Sequence, residues 1–90
     1  MKIIRFSAIW CAACLVMRPR WSEAFKDYSL LITDYDYDLN PDEVSQYNIG
    51  KTIPVVIFID ENNQEISRII GEKSKKELME SINRVVGEGR

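Results

Sequence analysis

Two cysteines, and only two, occur in this chain, three residues apart in the pentapeptide Trp10-Cys11-Ala12-Ala13-Cys14. That spacing lets two thiols close a tight disulfide at a helix start. A Cys-X-X-Cys inside a strand, helix, strand pattern reads as a dithiol redox site, because the helix's unpaired amides and positive end favour the thiolate of the first cysteine. Zinc competes for the same thiols. A structural zinc site takes four ligands, and the chain has no histidine and no second cysteine pair, so zinc would need a dimer or carboxylates.

The pair needs elements to hold it. Lys2 to Phe6 is β-branched and apolar enough for a buried strand, and Ala12 to Tyr28 follows a helical period, with Cys14, Met17, Trp21, Ala24 or Phe25, and Tyr28 on one face. Pro19 falls inside that helix and predicts a kink. Leu30, Leu31 and Ile32 read as a second buried strand. Asn40-Pro41-Asp42-Glu43 is a helix start, with Asn40 as cap and proline at the first helical position, and the helix is expected to end about Tyr47 with Gly50 as the stop.

Ile53 to Ile59 reads as a strand that begins at a proline, where no ladder bond is lost. Glu61 to Gln64 is a turn, and Glu65 to Ile70 returns antiparallel. Ser74-Lys75-Lys76-Glu77 is a capping box for a last helix, with Leu78, Met79, Ile82, Val85 and Val86 as its buried stripe and Gly87 as its end. The order βαβαββα predicts an α/β fold: a four-stranded mixed sheet with helices on both faces.

Ninety residues, 46% hydrophobic and 29% charged, are expected to form a single domain spanning 1–90. Two cysteines cannot make a secreted disulfide scaffold. A net charge of −2, without a basic run, argues against nucleic acid. No apolar run reaches the roughly 20 residues that span a bilayer, and the apolar stretch Ser7 to Met17 lacks a convincing cleavage site, so no membrane contact and a cytoplasmic location are expected. Between Lys26 and Lys51 there is no Lys or Arg, while Asp27, Asp34, Asp36, Asp38, Asp42 and Glu43 all lie there. This reads as a solvated acidic edge. Asp34, Asp36 and Asp38 imitate the start of a calcium loop, but Leu39 stands where glycine is needed and Ser45 where a bidentate glutamate belongs.

Trp10-Cys11-X-X-Cys14, Pro19 five residues beyond, Ile53-Pro54 and Gly71 together resemble the thioredoxin family over nearly the whole chain. The resemblance implies a minimal, glutaredoxin-sized thioredoxin-like fold without the family's leading strand and helix. It makes Cys11 the nucleophile at an exposed helix start and Cys14 the more buried resolving thiol. Pro54 becomes a cis-proline facing the sulfurs, and Ile53 a backbone partner for an extended substrate, with Trp10 beside them. The plain alternatives are an ordinary strand start for Pro54 and a packed aromatic for Trp10.

The chain departs from the family pattern at Ala12-Ala13, where its reductases carry Gly-Pro, and at Arg5, where they carry an aspartate six residues before the first cysteine. An ungapped alignment puts Asp34 where the family often has the lysine paired with that aspartate. Arg5 and Asp34 are thus candidates for the same pair with charges exchanged, tuning the cysteine pKa values; the alternative is a surface arginine and a loop aspartate. Thr52-Ile53-Pro54 also resembles the glutaredoxin motif, but the Gly-Gly segment of glutaredoxins is missing and Trp10 replaces their tyrosine.

The expected function is reduction of protein disulfides by a monomer with no bound cofactor, its electrons supplied by a thioredoxin reductase or glutathione. The alternatives are a glutathione-dependent, glutaredoxin-like reductase and a non-catalytic interaction or metal-binding module of the same fold.

Overall fold

In the computed structural model, which describes residues 1–28 and 30–88, the elements follow one another as β1 (Lys2–Ser7), α1 (Ala12–Phe25), β2 (Leu31–Asp36), α2 (Pro41–Gln46), β3 (Val55–Ile59), β4 (Glu65–Ile70) and α3 (Lys75–Glu88). The sheet runs β2-β1-β3-β4, with β1 parallel to β2 and antiparallel to β3, and β3 antiparallel to β4.

Alternation along the two central strands splits the core into two layers. Ile3 of β1 and Val56 and Phe58 of β3 face α1 and α3, where they pack with Met17, Trp21, Phe25, Leu78, Ile82 and Val85. Ile4 and Phe6, with Val55, Ile57 and Ile59, face the other way, among the two cysteines, Ile49 and Ile53, with Val44 and Tyr47 at the margin. All five residues of β3 are buried, as befits a strand covered on both faces. The fold thus places the cysteines where β1, α1 and the approach to β3 converge.

Four local expectations change. The second strand is not the buried Leu30–Ile32 but a longer edge strand, with Leu31 64% exposed. Aspartates disfavour strands, yet an edge tolerates them, and register pairing sets Asp34 opposite Arg5. The first helix ends at Phe25, and Tyr28 closes a turn whose hydroxyl donates to Asn83 Oδ1 at 2.7 Å on α3.

Asn40 caps α2 by position only: its side-chain oxygen accepts from the Asp36 amide at 3.0 Å, and Asn48, at φ 54°, follows the helix end ahead of Gly50. The last helix continues through Gly87 to Glu88. Its start follows the sequence, with Glu77 N–H donating to Ser74 Oγ at 3.1 Å and Ser74 N–H to Glu77 Oε1 at 3.2 Å.

Candidate functional site

Cys11 is the residue that caps α1. Its backbone is extended, at φ −88° and ψ 108°, and its sulfur accepts the Cys14 amide at 3.1 Å, one of the orphan donors of the helix's first turn. The same thiol donates to the Ile53 carbonyl at 3.7 Å, so the loop before β3 touches the reactive sulfur directly. Both thiols are free. The expected exposed nucleophile is in fact nearly covered: Cys11 keeps 6% exposure and Cys14 none, because the Cys11 sulfur is folded back onto the Cys14 amide and Ile53. The order of access, Cys11 before Cys14, remains.

Burial pushes the Cys14 thiol up to about 11, with its hydrogen bond to Cys11 adding to the shift; a backbone hydrogen bond at Ala8 opposes it, the charge of Cys11 raises it further, and Arg18 lowers it. The cation that acts on Cys14 is therefore Arg18 rather than Arg5. Its signal was in the sequence, four residues after Cys14 and so one turn along the same helix.

The Ile53–Pro54 peptide bond is cis, and both residues are buried beside the sulfurs. The Pro54 carbonyl accepts the Gly71 amide at 2.8 Å, joining the end of β4 to this loop. Gly71 sits at φ 84°, a conformation that asks for glycine. A Cβ there would meet only Thr52 Cγ2 at 3.8 Å, so backbone conformation rather than space sets the requirement.

Trp10 stands 59% exposed next to Cys11. Its indole N–H donates to Asp38 at 2.6 Å, and its ring meets Tyr37 edge-on at 6.3 Å. The loop before α1 is thereby tied to the turn after β2. Asp38 was not singled out from sequence as a Trp10 partner, because the two are 28 residues apart and only the parallel pairing of β1 with β2 brings them together.

Arg5 and Asp34 do meet, through Nε at 2.7 Å and a second guanidinium nitrogen at 2.8 Å, a two-pronged pair across β1 and β2. The Arg5 guanidinium also lies 5.0 Å from the centroid of the Trp21 ring under α1. These three residues, with Ser7, Arg18 and Ser22, line a cavity of about 460 Å³ between the sheet edge and α1. The buried Trp21 Nε1 has no protein partner.

Among the described residues, no three His, Cys, Asp or Glu side chains gather as metal ligands, and no helix is long and apolar enough to cross a membrane.

The arrangement can therefore carry thiol chemistry on two sulfurs of unequal access beside the Ile53 backbone, and comparison with known proteins points the same way. The chain is 34% identical over 85 residues to thioredoxin H5 of Oryza sativa subsp. japonica, covering 91% of this chain and 62% of that protein. It is 37% identical over 86 residues to the chloroplastic M-type thioredoxin of Spinacia oleracea, covering 91% and 45%. The chain thus spans about half to three-fifths of the length of these curated relatives. Thioredoxin 1 from the thermophilic eubacterium Thermosipho africanus TCF52B superposes with a TM-score of 0.82 at 30% identity, covering 97% of this chain and 96% of that one. Since the thioredoxin family model itself matches residues 1–84, the chain belongs to the thioredoxin family.

Proposed function

We propose that this protein is a thiol-disulfide oxidoreductase that reduces protein disulfides through Cys11 and Cys14. The observation that carries the reading is the geometry of the pair: Cys11 caps α1 with its sulfur accepting the Cys14 amide at 3.1 Å, and Cys14 lies fully buried one turn further in. Family membership supports the same chemistry.

In this reading the Cys11 thiolate attacks one sulfur of the substrate disulfide; that bond breaks, and the departing sulfur leaves as a thiolate that takes a proton from solvent. A mixed disulfide now joins Cys11 to substrate. With the sulfur of Cys11 committed to it, the hydrogen bond and charge that Cys11 imposed on Cys14 are gone, leaving burial opposed by Ala8 and Arg18. Cys14 then loses its proton to solvent more readily than before, and its thiolate attacks the Cys11 sulfur, forming the Cys11–Cys14 disulfide as the bond to the substrate breaks. The second substrate thiol is released, and two electrons have moved from the dithiol to the substrate. Premature loss of the Cys14 proton is rare, since a thiol of pKa about 11 is about one part in ten thousand thiolate at pH 7.

Ile53 offers backbone to an extended substrate segment, Pro54 presents no amide to compete near the sulfurs, and Trp10 supplies an exposed ring beside Cys11. Arg5 and Asp34 enter as a charged pair that fixes the β2 edge against β1 and lines, with Arg18, the cavity beside α1. Electrons return from a thioredoxin reductase or glutathione, the protein acts as a monomer in a reducing, cytoplasmic compartment, and residues 1–90 form one domain.

Incubating Cys14→Ser with a disulfide-bonded protein tests the reading. A covalent complex through Cys11, released by dithiothreitol and not formed by Cys11→Ser, is expected. A folded Cys14→Ser variant that never forms the adduct would overturn it, and stoichiometric zinc in the pure protein would favour the metal-binding alternative.

A further inference from the structure

The rim of the redox site combines uncovered apolar side chains with one sign of charge. Ile9 is 82% exposed, Trp10 59% and Leu39 79%. Because Trp10 is bound to Asp38 and packed on Tyr37, the neighbouring Leu39 belongs to the same rim as Cys11. Asp36 and Asp38 lie in or beside this turn: Asp36 Oδ1 accepts the amides of Asp38 and Leu39 at 2.8 and 3.1 Å. Asp42 and Glu43 occupy the first turn of α2 directly after it. Among the described residues none of these four carboxylates is in an ion pair. A single lysine, Lys51, follows Gly50, whose carbonyl takes the Tyr37 hydroxyl at 3.2 Å. On the α1 side Arg18 stands on the helix, while Arg20, bonded to the Lys73 carbonyl at 2.8 Å, is paired with Glu72 at 3.7 Å.

From this polarity we infer that the disulfide presented to Cys11 sits in a polypeptide segment with an apolar residue beside its cysteine and Lys or Arg on the flank that lies over the β2–α2 turn. The inference rests on the dithiol-exchange reading and adds the class of substrate. Ile9, Trp10 and Leu39 give the apolar residue a surface to cover, and charge selects among segments that can do so. Carboxylates without an ion-pair partner attract a basic flank and repel an acidic one over about 10 Å at 0.1 M salt. Such steering acts on association rate and fades as salt rises.

The test uses two synthetic peptides, each a disulfide-linked pair of strands, identical except that Lys-Lys or Glu-Glu flanks a Leu-Cys core. Second-order rates of reduction by the pre-reduced protein are measured at low and high salt and divided by the rates with dithiothreitol, which removes the peptides' own difference in reactivity. The Lys peptide is expected to react about tenfold faster at low salt, with the gap closing at high salt. Replacing Asp42 and Glu43 together (Asp42→Asn with Glu43→Gln) is expected to narrow the gap and leave reduction of an uncharged peptide unchanged. Equal rates at low salt, a preference for the Glu peptide, or a gap indifferent to both salt and these substitutions would overturn the inference while leaving the dithiol reading standing. If neither peptide is reduced by the folded protein, the dithiol reading falls and the inference with it.

Discussion

Removing the Cys11 thiol should leave Cys14 titrating above the ordinary thiol range, because burial, the larger cause, stays behind. In the wild type the Cys14 thiol stands at about 11 against an ordinary 9.0. Cys11→Ser removes the thiolate charge and weakens the hydrogen bond, both of which raise Cys14, and leaves a side chain with no exposed surface. Thiolate absorbance at 240 nm, followed from pH 7 to 12, is therefore expected to give a midpoint between 9.0 and about 11 in Cys11→Ser. The rate of iodoacetamide alkylation should follow the same curve.

A linked effect on stability is expected in the reduced wild type. A thiol whose pKa is raised on folding holds its proton longer in the native state, so its stabilising contribution is complete below pH 9 and lost as pH rises toward 11. The loss amounts to about 3 kcal/mol across that window, at ~1.4 kcal/mol per pH unit. Urea unfolding of reduced wild type and Cys14→Ala at matched pH isolates it, since the variant lacks the group. A Cys14 midpoint at or below 9 in Cys11→Ser, or parallel pH curves for wild type and Cys14→Ala, would refute burial as the dominant cause.

Three further outcomes are expected. A double-mutant cycle on Arg5→Ala and Asp34→Ala should return a coupling of about 0.5–1 kcal/mol by urea unfolding, modest because the Asp34 side chain is 56% exposed and solvent screens the pair. Trp21→Phe should cost less than about 1.5 kcal/mol, because the lost ring volume is offset by removing a buried N–H with no protein partner, whereas Trp21→Ala should cost about 3–5 kcal/mol. Ser74→Ala breaks the reciprocal cap of α3 and should cost about 1 kcal/mol, a fall in Tm of about 4–8 °C by calorimetry.

The sequence carried the centre of the molecule further than its edges. β1 and β3 were legible because strands buried on both faces leave a nearly continuous apolar run, and the reciprocal bonds of Ser74 and Glu77 were legible because a capping box is local chemistry. β2 was misread because an apolar triplet does not say whether anything covers it, and its aspartates argue against a strand until the Arg5 pairing offsets them. Gly87 was read as a stop, yet helix continues past it, so glycine marked permission rather than an end. At the site, the proximity of Ile53 to Cys11 across 42 residues followed from the family resemblance, since spacing alone does not bring them together. Asp38 stayed hidden behind strand pairing, and Arg18 was overlooked although helical spacing from Cys14 would have found it.

The most direct test of the account is the reduction potential of the Cys11/Cys14 pair, measured by equilibrating the protein in glutathione redox buffers and counting free thiols by mass after alkylation. Because the chain belongs to the thioredoxin family, one reversible two-electron transition is expected nearer about −270 mV than about −120 mV. A potential at the oxidising end would contradict reduction as the direction of flow, and no reversible transition at all would contradict dithiol exchange.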